Sequence, residues 1–202
     1  IKTGNITVSI YTEMTPNPET MKFVANKLLY PGKSVDFQDI ESAKPSPLAL
    51  ELFSFPFVKS VFLDANYISI TKFDIIEWND ITTELREFVK GFLEEGNEVI
   101  IASAISTPEK NETKLDEEFE TLDETSKEII NILEEYVKPA VQSDGGNITF
   151  NSFDESTNVV KVTLQGACSG CPSSTFTLKN GIENMLRDML KNNSIIVEAM
   201  NG

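Results

Sequence analysis

The sequence predicts an α+β protein of two small domains, each a two-layer arrangement of helices packed on a sheet. Both halves combine segments of alternating apolar and polar residues, typical of strands, with apolar residues at helical spacing. Between the halves apolar residues become scarce and acidic residues dominate. We therefore expect a first domain over residues 1–104, an acidic linker over 105–124 and a second domain over 125–202.

The charge balance limits the classes of partner. The chain has 202 residues, with 17 basic and 32 acidic side chains and a net charge of −15. Phosphate contacts need clustered Lys and Arg, so this composition argues against a nucleic-acid binder and disfavours anionic membranes. The longest strongly apolar run, residues 99–102, is too short to span a bilayer. No basic segment followed by an apolar core opens the chain, so we expect no secretory signal; the first residue, Ile1, is compatible with a trimmed targeting peptide.

Strand and helix signals alternate along the first domain. A capped helix is indicated by Ser46 followed by Pro47, and a longer amphipathic helix by an apolar stripe that begins after Asp80 and ends before Gly96. The remaining predicted elements are a strand over 5–12, a proline-rich turn over 15–18, and a hairpin of 58–63 with 67–71.

The first domain offers two candidate partner surfaces. Glu13, Thr15 and Asn17 are polar residues of the proline-rich loop and can face a partner, although a turn kept for its backbone geometry is at least an equal alternative. Trp78 and the Phe-rich stretch 53–57 can form an apolar docking patch, but packing in the core is the stronger expectation.

The second domain is predicted to run α-β-β-α-β. A capping box at residues 125–128 opens an amphipathic helix that we expect to end at Pro139. The turn 144–146 then leads into a strand over 147–150, which pairs with a second strand over 159–164. A long helix with an apolar stripe from Leu178 to Met189 and a closing strand over 194–199 complete the domain. The linker before it is expected to be solvated, because charge runs of this kind bury too little surface to become ordered.

The two cysteines of the chain form a CxxC motif. Cys168 and Cys171 lie between Gly166 and a predicted helix, on a loop that Gly170 also leaves free to bend around a ligand. Ser173 or Ser174 is placed to cap that helix, whose positive end would stabilise thiolates. Two thiolates are half of the four-sulfur set that zinc or an iron–sulfur cluster usually takes. The chain has no histidine, so imidazole from the same molecule cannot supply the rest.

Several interpretations of this motif remain open. Buried, idle thiols are disfavoured by the flanking glycines. A thioredoxin-like dithiol also lies between a strand and a helix, but we expect an antiparallel hairpin before the loop and no βαβ crossover. The others are a structural zinc dimer and a thiolate site shared by two chains across a two-fold axis.

The motifs carry a family resemblance over nearly the whole chain apart from the linker. The second half closely resembles the C-terminal domain of NifU and of the Nfu family in residues 144–148, 164–174 and 177–183. The first half resembles the Nfu N-terminal domain in residues 11–18, 21–23, 46–49 and 67–72.

The resemblance implies an iron–sulfur cluster scaffold or carrier. In such proteins the C-terminal domains pair, and two CxxC motifs hold one [4Fe-4S] cluster, with [2Fe-2S] as a possible assembly intermediate. By matching position, Cys168 and Cys171 would be the ligands, and no residue would be catalytic. The expected partners are a second copy of the chain, upstream cluster-assembly proteins and client apoproteins. The expected location is the cytoplasm of a bacterium or the mitochondrial matrix of a eukaryote.

Overall fold

The computed structural model describes residues 7–101, 121–168 and 172–201, and it divides the chain into two units, Ile1–Ile105 and Ser106–Gly202. Each unit combines helices with one sheet, which confirms the predicted α+β class. No helix within the described ranges is long and apolar enough to cross a bilayer.

The first unit is a five-stranded antiparallel sheet with two helices. The strand order is β1-β2-β5-β4-β3, so the fifth strand in the chain lies at the centre. In chain order the elements are β1 Ile10–Met14, β2 Thr20–Ala25, β3 Tyr30–Phe37, α1 Pro47–Leu52, β4 Val58–Ala65, β5 Tyr67–Lys72 and α2 Trp78–Glu94.

The predicted hairpin is confirmed, but two strands were not predicted. β4 and β5 pair across a turn in which Ala65 takes the left-handed conformation, with φ of 43°. All six residues of β2 are buried, so its sequence lacks the apolar–polar alternation of a half-exposed strand. β3 contains Pro31 and Gly32, which count against a strand in sequence; as an edge strand it tolerates them.

Both helices of the first unit form where apolar spacing indicates them. Ser46 caps α1 by accepting a hydrogen bond from Ala49 N, as expected. From the sequence alone Asp80, just before the apolar stripe, is expected to cap α2, and this expectation is wrong: the cap position is Glu77, which makes no side-chain hydrogen bond there, and Asp80 lies in the first turn. The buried stripe of α2 packs with α1 and one face of the sheet into a single core.

The second unit is a three-stranded sheet with its helices on one face. The strand order is β6-β7-β8; β6 and β7 are antiparallel, and β7 and β8 are parallel. Its elements are α3 Glu124–Ile132, a π-helical turn Leu133–Val137, α4 Lys138–Ser143, β6 Gly146–Asp154, β7 Val159–Gly166, α5 Pro172–Leu190 and β8 Ile196–Asn201.

Two details of the first helix differ from expectation. Its cap is Asp123, whose carboxylate accepts from Ser126 N at 2.9 Å, rather than Thr125. Pro139 does not end the helix, because the π-helical turn before it accommodates the missing N–H and α4 continues to Ser143. Of the predicted linker, residues 105–120 lie outside the described residues.

The long helix α5 fixes the last strand. Arg187 Nε donates to Ile195 O at 2.8 Å, and Glu183 Oε2 accepts from Val197 N at 2.9 Å. Because β8 pairs parallel to β7, the segment β7-α5-β8 is a βαβ crossover. The earlier expectation of no such crossover was wrong, since the hairpin of β6 and β7 does not prevent β8 from joining on the other side of β7.

Candidate metal centre

Cys168 lies at the exit of β7, where the chain turns toward α5. Gly166, with φ of 68°, ends the strand in a conformation that favours glycine, and Ala167 and Cys168 form the turn that follows. Cys171 was predicted as the second ligand; it lies in residues 169–171, outside the described residues. The structure therefore places one of the two predicted ligands.

The glycine turn before β6 packs directly beside this cysteine. Gly146 pairs with Gly166 across β6 and β7, and Ala167 N donates to Gly145 O at 3.2 Å. A Cβ added to Gly146 would lie 2.8 Å from Cys168 Sγ and 2.6 Å from Gln165 O. Gly145, with φ of 82°, provides the turn itself. The sequence predicts a turn over 144–146, but only the register between β6 and β7 reveals that this turn packs against the thiol of Cys168.

The thiol of Cys168 is held as a buried neutral group. Cys168 is 7% exposed and belongs to the apolar core of the second unit. Burial raises the pKa of this thiol to about 12, and the negative charge of Asp144 adds to the increase. We expected the positive end of the following helix to stabilise a thiolate here; that expectation was wrong for Cys168, because desolvation of the charged form dominates.

A threonine links the cysteine turn to α5. Thr175 Oγ1 donates to Cys168 O at 3.0 Å, so the first turn of the helix is tied to the residue that bears the thiol. The predicted caps were Ser173 and Ser174, whose side chains lie outside those described. Thr175 was not identified from sequence, because a hydroxyl within the first helical turn gives no signal that distinguishes it from an ordinary helix residue.

One chain has fewer sulfur donors than a closed four-thiolate site needs. Among the described residues no group of three or more Cys, His, Asp or Glu side chains could hold a metal ion. The whole sequence has two cysteines and no histidine. Soft thiolates suit iron–sulfur clusters and zinc, and both usually take four such donors. The chain's own sulfur atoms therefore fit half of such a site.

Of the two candidate partner surfaces of the first unit, the proline-rich loop is held by its own hydrogen bonds and the Phe-rich stretch packs against the core. Asn17 is buried, and Thr15 Oγ1 lies 2.9 Å from both Asn17 O and Thr20 O, so the turn is held by its own hydrogen bonds. Glu13 pairs with Lys22 at 3.4 Å. The Phe-rich stretch 53–57 packs against the core, as expected.

The βαβ crossover removes one argument against a thioredoxin-like dithiol. A loop between a strand and a helix of a βαβ unit is the position of redox CxxC motifs, so topology no longer argues against one. The raised pKa of the Cys168 thiol does argue against a redox dithiol, because such a thiol supplies little nucleophilic thiolate at neutral pH.

These features define a protein of two α+β units, the second of which presents a cysteine loop between a strand and a helix. Comparison with known families agrees with this division of the chain. Residues 10–96 match the N-terminal domain family of scaffold protein Nfu/NifU, and residues 129–197 match the NifU-like domain family. The chain belongs to the Nfu/NifU family.

Curated relatives align with most of this chain and are longer than it. NifU-like protein 4, mitochondrial, of Arabidopsis thaliana is 38% identical over 180 residues, covering 89% of this chain and 62% of the relative. The NFU1 iron-sulfur cluster scaffold homolog, mitochondrial, of Drosophila willistoni is 39% identical over 185 residues, covering 91% and 61%. The chain thus spans about three-fifths of the length of these relatives.

Solved structures resemble parts of the chain. A NifU-like protein from Saccharomyces cerevisiae, solved by solution NMR, covers 46% of this chain and 84% of its own, with 28% identity and a TM-score of 0.42. A crystal structure of a Staphylococcus aureus protein covers 40% and 98%, with 21% identity and a TM-score of 0.36.

Proposed function

We propose that two copies of this chain bind one [4Fe-4S] cluster through Cys168 and Cys171 of each copy, and pass it to client apoproteins. The observation that carries the proposal is the cysteine loop between β7 and α5 of a NifU-like domain, which brings half of a four-thiolate set. The cluster is cargo, and the protein acts as a carrier rather than a catalyst. A [2Fe-2S] form is an assembly intermediate on the way to it.

The residues around Cys168 give the thiol a fixed starting position. Gly146 leaves space for the sulfur, and Thr175 holds the carbonyl of the same residue. Iron displaces the thiol proton when it binds, as it does at other cysteine sites. In the cluster-free chain the neutral thiol is stored in an apolar environment, which protects it from oxidation.

A site divided between two chains provides a route for release. In each exchange step a client thiol gives its proton to a departing cysteine, one iron–sulfur bond to the client forms, and one bond to the carrier breaks. Separation of the two copies removes half of the ligands at once. A closed four-cysteine site within one chain has no equivalent route.

We also propose a mitochondrial location and partners that match the carrier function. Both named relatives are mitochondrial proteins. One is named a NifU-like protein and the other an iron-sulfur cluster scaffold homolog. The matrix is then the compartment of action, with upstream assembly proteins as donors and apo-iron–sulfur proteins as recipients.

Anaerobic reconstitution tests the proposal. The protein is loaded with iron and sulfide, separated by size, and its iron, sulfide and mass are measured on the same fraction. We expect about four iron and about four sulfide atoms per two chains, in a dimer. A cluster-loaded monomer with no external thiol contradicts the proposal. Zinc alone in anaerobically purified protein supports a structural zinc dimer instead, and a stable disulfide that cycles with a reductase supports an oxidoreductase.

A further inference from the structure

One end of the five-stranded sheet carries an apolar surface that the cysteine site does not use. We define the sheet-end patch as the five exposed apolar residues Met14, Pro16, Pro18, Phe73 and Ile75. They come from two segments: the last residue of β1 with the turn that follows it, and the loop between β5 and α2.

The strand pairing brings these two segments to the same end of the sheet. Met14 pairs with Met21 at the start of β2, and Thr20 pairs with Thr71 at the end of β5. Lys72 N donates to Glu19 O at 2.9 Å. Trp78 Nε1, at the start of α2, donates to Pro18 O at 3.0 Å and joins the second loop to the first turn.

The patch is both exposed and held in place. Met14 is 84% exposed, Ile75 71% and Phe73 45%, so none of these three side chains is buried in the core. The turn beneath is fixed by Thr15 and by Glu19 N, which donates to Asn17 Oδ1 at 3.0 Å. Exposed apolar side chains on a rigid support are typical of interaction sites.

The charges around the patch are acidic. Asp74, Glu77 and Asp80 are exposed, and none forms an ion pair with another described residue. Two cations lie on the neighbouring strands: Lys72 is buried with its Nζ 5.9 Å from the centre of the Trp78 ring, and Lys59 is paired with Glu19 at 3.5 Å. The surface that a partner meets is therefore apolar with a negative rim.

We propose that the sheet-end patch docks a protein partner through a segment that is both basic and apolar. Complementary charge would orient the basic side chains toward Asp74 and Glu77, while Met14 and Ile75 contact the apolar ones. Two copies of the patch would bring their acidic rims together, and an anionic membrane would meet the same repulsion. The docking site belongs to the first unit and the cysteines to the second, so the proposal does not rest on the proposed cluster chemistry.

Trp78 is the one tryptophan of the chain and contacts the patch, so its fluorescence reports occupancy. The full chain is titrated with a tryptophan-free amphipathic peptide of Lys and Leu, and in parallel with an equivalent peptide of Glu and Leu. We expect a saturable change in emission with the basic peptide alone. The double variant Met14→Gln/Ile75→Gln should bind at least about tenfold more weakly. Asp74→Lys/Glu77→Lys should reverse the preference toward the acidic peptide.

The control is Leu28→Gln/Ile40→Gln, which removes two exposed apolar side chains elsewhere on the same unit and should bind as the unchanged chain does. Equal binding of both peptides, or no effect of Met14→Gln/Ile75→Gln, overturns the proposal. So does sedimentation showing a dimer that this double variant abolishes, or co-flotation with phosphatidylcholine–phosphatidylserine vesicles that it abolishes. Iron and sulfide content after reconstitution should not change in the double variant, which separates this test from that of the cysteine site.

Discussion

Gly146 and Cys168 are packed so closely that the absence of a side chain at the first sets the position of the sulfur at the second. A Cβ on Gly146 would lie 2.8 Å from Cys168 Sγ and 3.2 Å from Cys168 Cβ. Carbon and sulfur do not approach this closely without a shift of one of them. Gly146, at the start of β6, therefore acts as a positioning residue for a thiol that lies just after the end of β7.

Substitution Gly146→Ala tests this relationship. We expect the added methyl group to displace Cys168 and to lower stability by about 1–3 kcal/mol, as overpacking usually does. Cluster yield in anaerobic reconstitution should fall by more than the folded fraction does. The readouts are iron and sulfide content together with urea unfolding.

Gly181→Ala is the matched control, because a Cβ at Gly181 meets no atom within 4 Å. In the interior of α5 it should leave cluster yield unchanged and raise stability by about 0.5–1 kcal/mol. A Gly146→Ala protein that loads cluster as well as the Gly181→Ala protein would show that the close contact has no part in positioning the thiol.

The buried thiol should react slowly. With Cys171→Ser, Cys168 is the remaining cysteine, and its alkylation by iodoacetamide at pH 8 can be followed by mass. A pKa of about 12 in place of 9.0 reduces the thiolate fraction about a thousandfold. The greater nucleophilicity of a more basic thiolate recovers part of this, so we expect a rate at least about thirtyfold below that of an exposed cysteine. An equal rate would contradict the burial of Cys168.

The same pKa predicts how stability depends on alkaline pH. The folded protein binds the thiol proton more tightly than the unfolded chain, whose cysteine titrates near pH 9. Below pH 9 the thiol is neutral in both states, so its contribution is fully present. It is lost as pH rises from about 9 toward 12. Urea unfolding of the cluster-free protein between pH 8 and 10.5 should therefore show a steeper loss of stability than the same measurement on Cys168→Ala.

The cysteine substitutions separate ligation from folding. Cys168→Ser and Cys171→Ser should each abolish cluster retention and leave both units folded. Cys168→Ser also carries a stability cost, since it places a hydroxyl among the apolar residues around Cys168. Circular dichroism and iron content check this; global unfolding of either variant would mean that the sulfurs are structural.

The cap of the second unit is a carboxylate that the sequence did not identify. Asp123 accepts from Ser126 N, and its hydrogen bonds to Ser126 lower its pKa. Asp123→Ala should cost about 1 kcal/mol, whereas Asp123→Asn should be nearly neutral at pH 7. Because the folded pKa is depressed, the charge-dependent part of this stabilisation is present above the unfolded value and is lost as pH falls through the folded one. Thermal unfolding of the second unit, followed by far-UV circular dichroism, provides the comparison.

Local patterns predicted most elements of this fold, and the failures share a cause. Amphipathic helices, the β4–β5 hairpin and the Ser46 cap follow from residue spacing and cap chemistry. β2 was missed because both of its faces are buried, so that burial, rather than alternation, determines its composition. The parallel pairing of β7 with β8 depends on contacts between distant segments.

The candidate site shows the same division. The CxxC motif can be recognised from the sequence as a pair of possible ligands, because the two cysteines are only three positions apart. The contact of Gly146 with Cys168 depends on the register between β6 and β7, and the raised pKa depends on how completely the core encloses the thiol. Neither property is encoded in the motif itself.

Ser46 joins two distant parts of the first unit, and its substitution should affect both. Ser46 Oγ accepts from Ala49 N at 3.1 Å as the cap of α1 and donates to Val99 O at 2.6 Å. Ser46→Ala removes the cap and leaves a carbonyl at Val99 without this donor, in a place where Ser46 is fully buried. We expect a loss of about 2 kcal/mol, larger than an exposed cap would give. Ser46→Thr keeps the hydroxyl and should recover part of the loss. Because Trp78 lies in the same unit, its emission in a urea titration measures the change without interference from the second unit. A loss no greater than that of Asp123→Ala would mean that the bond to Val99 contributes nothing to stability.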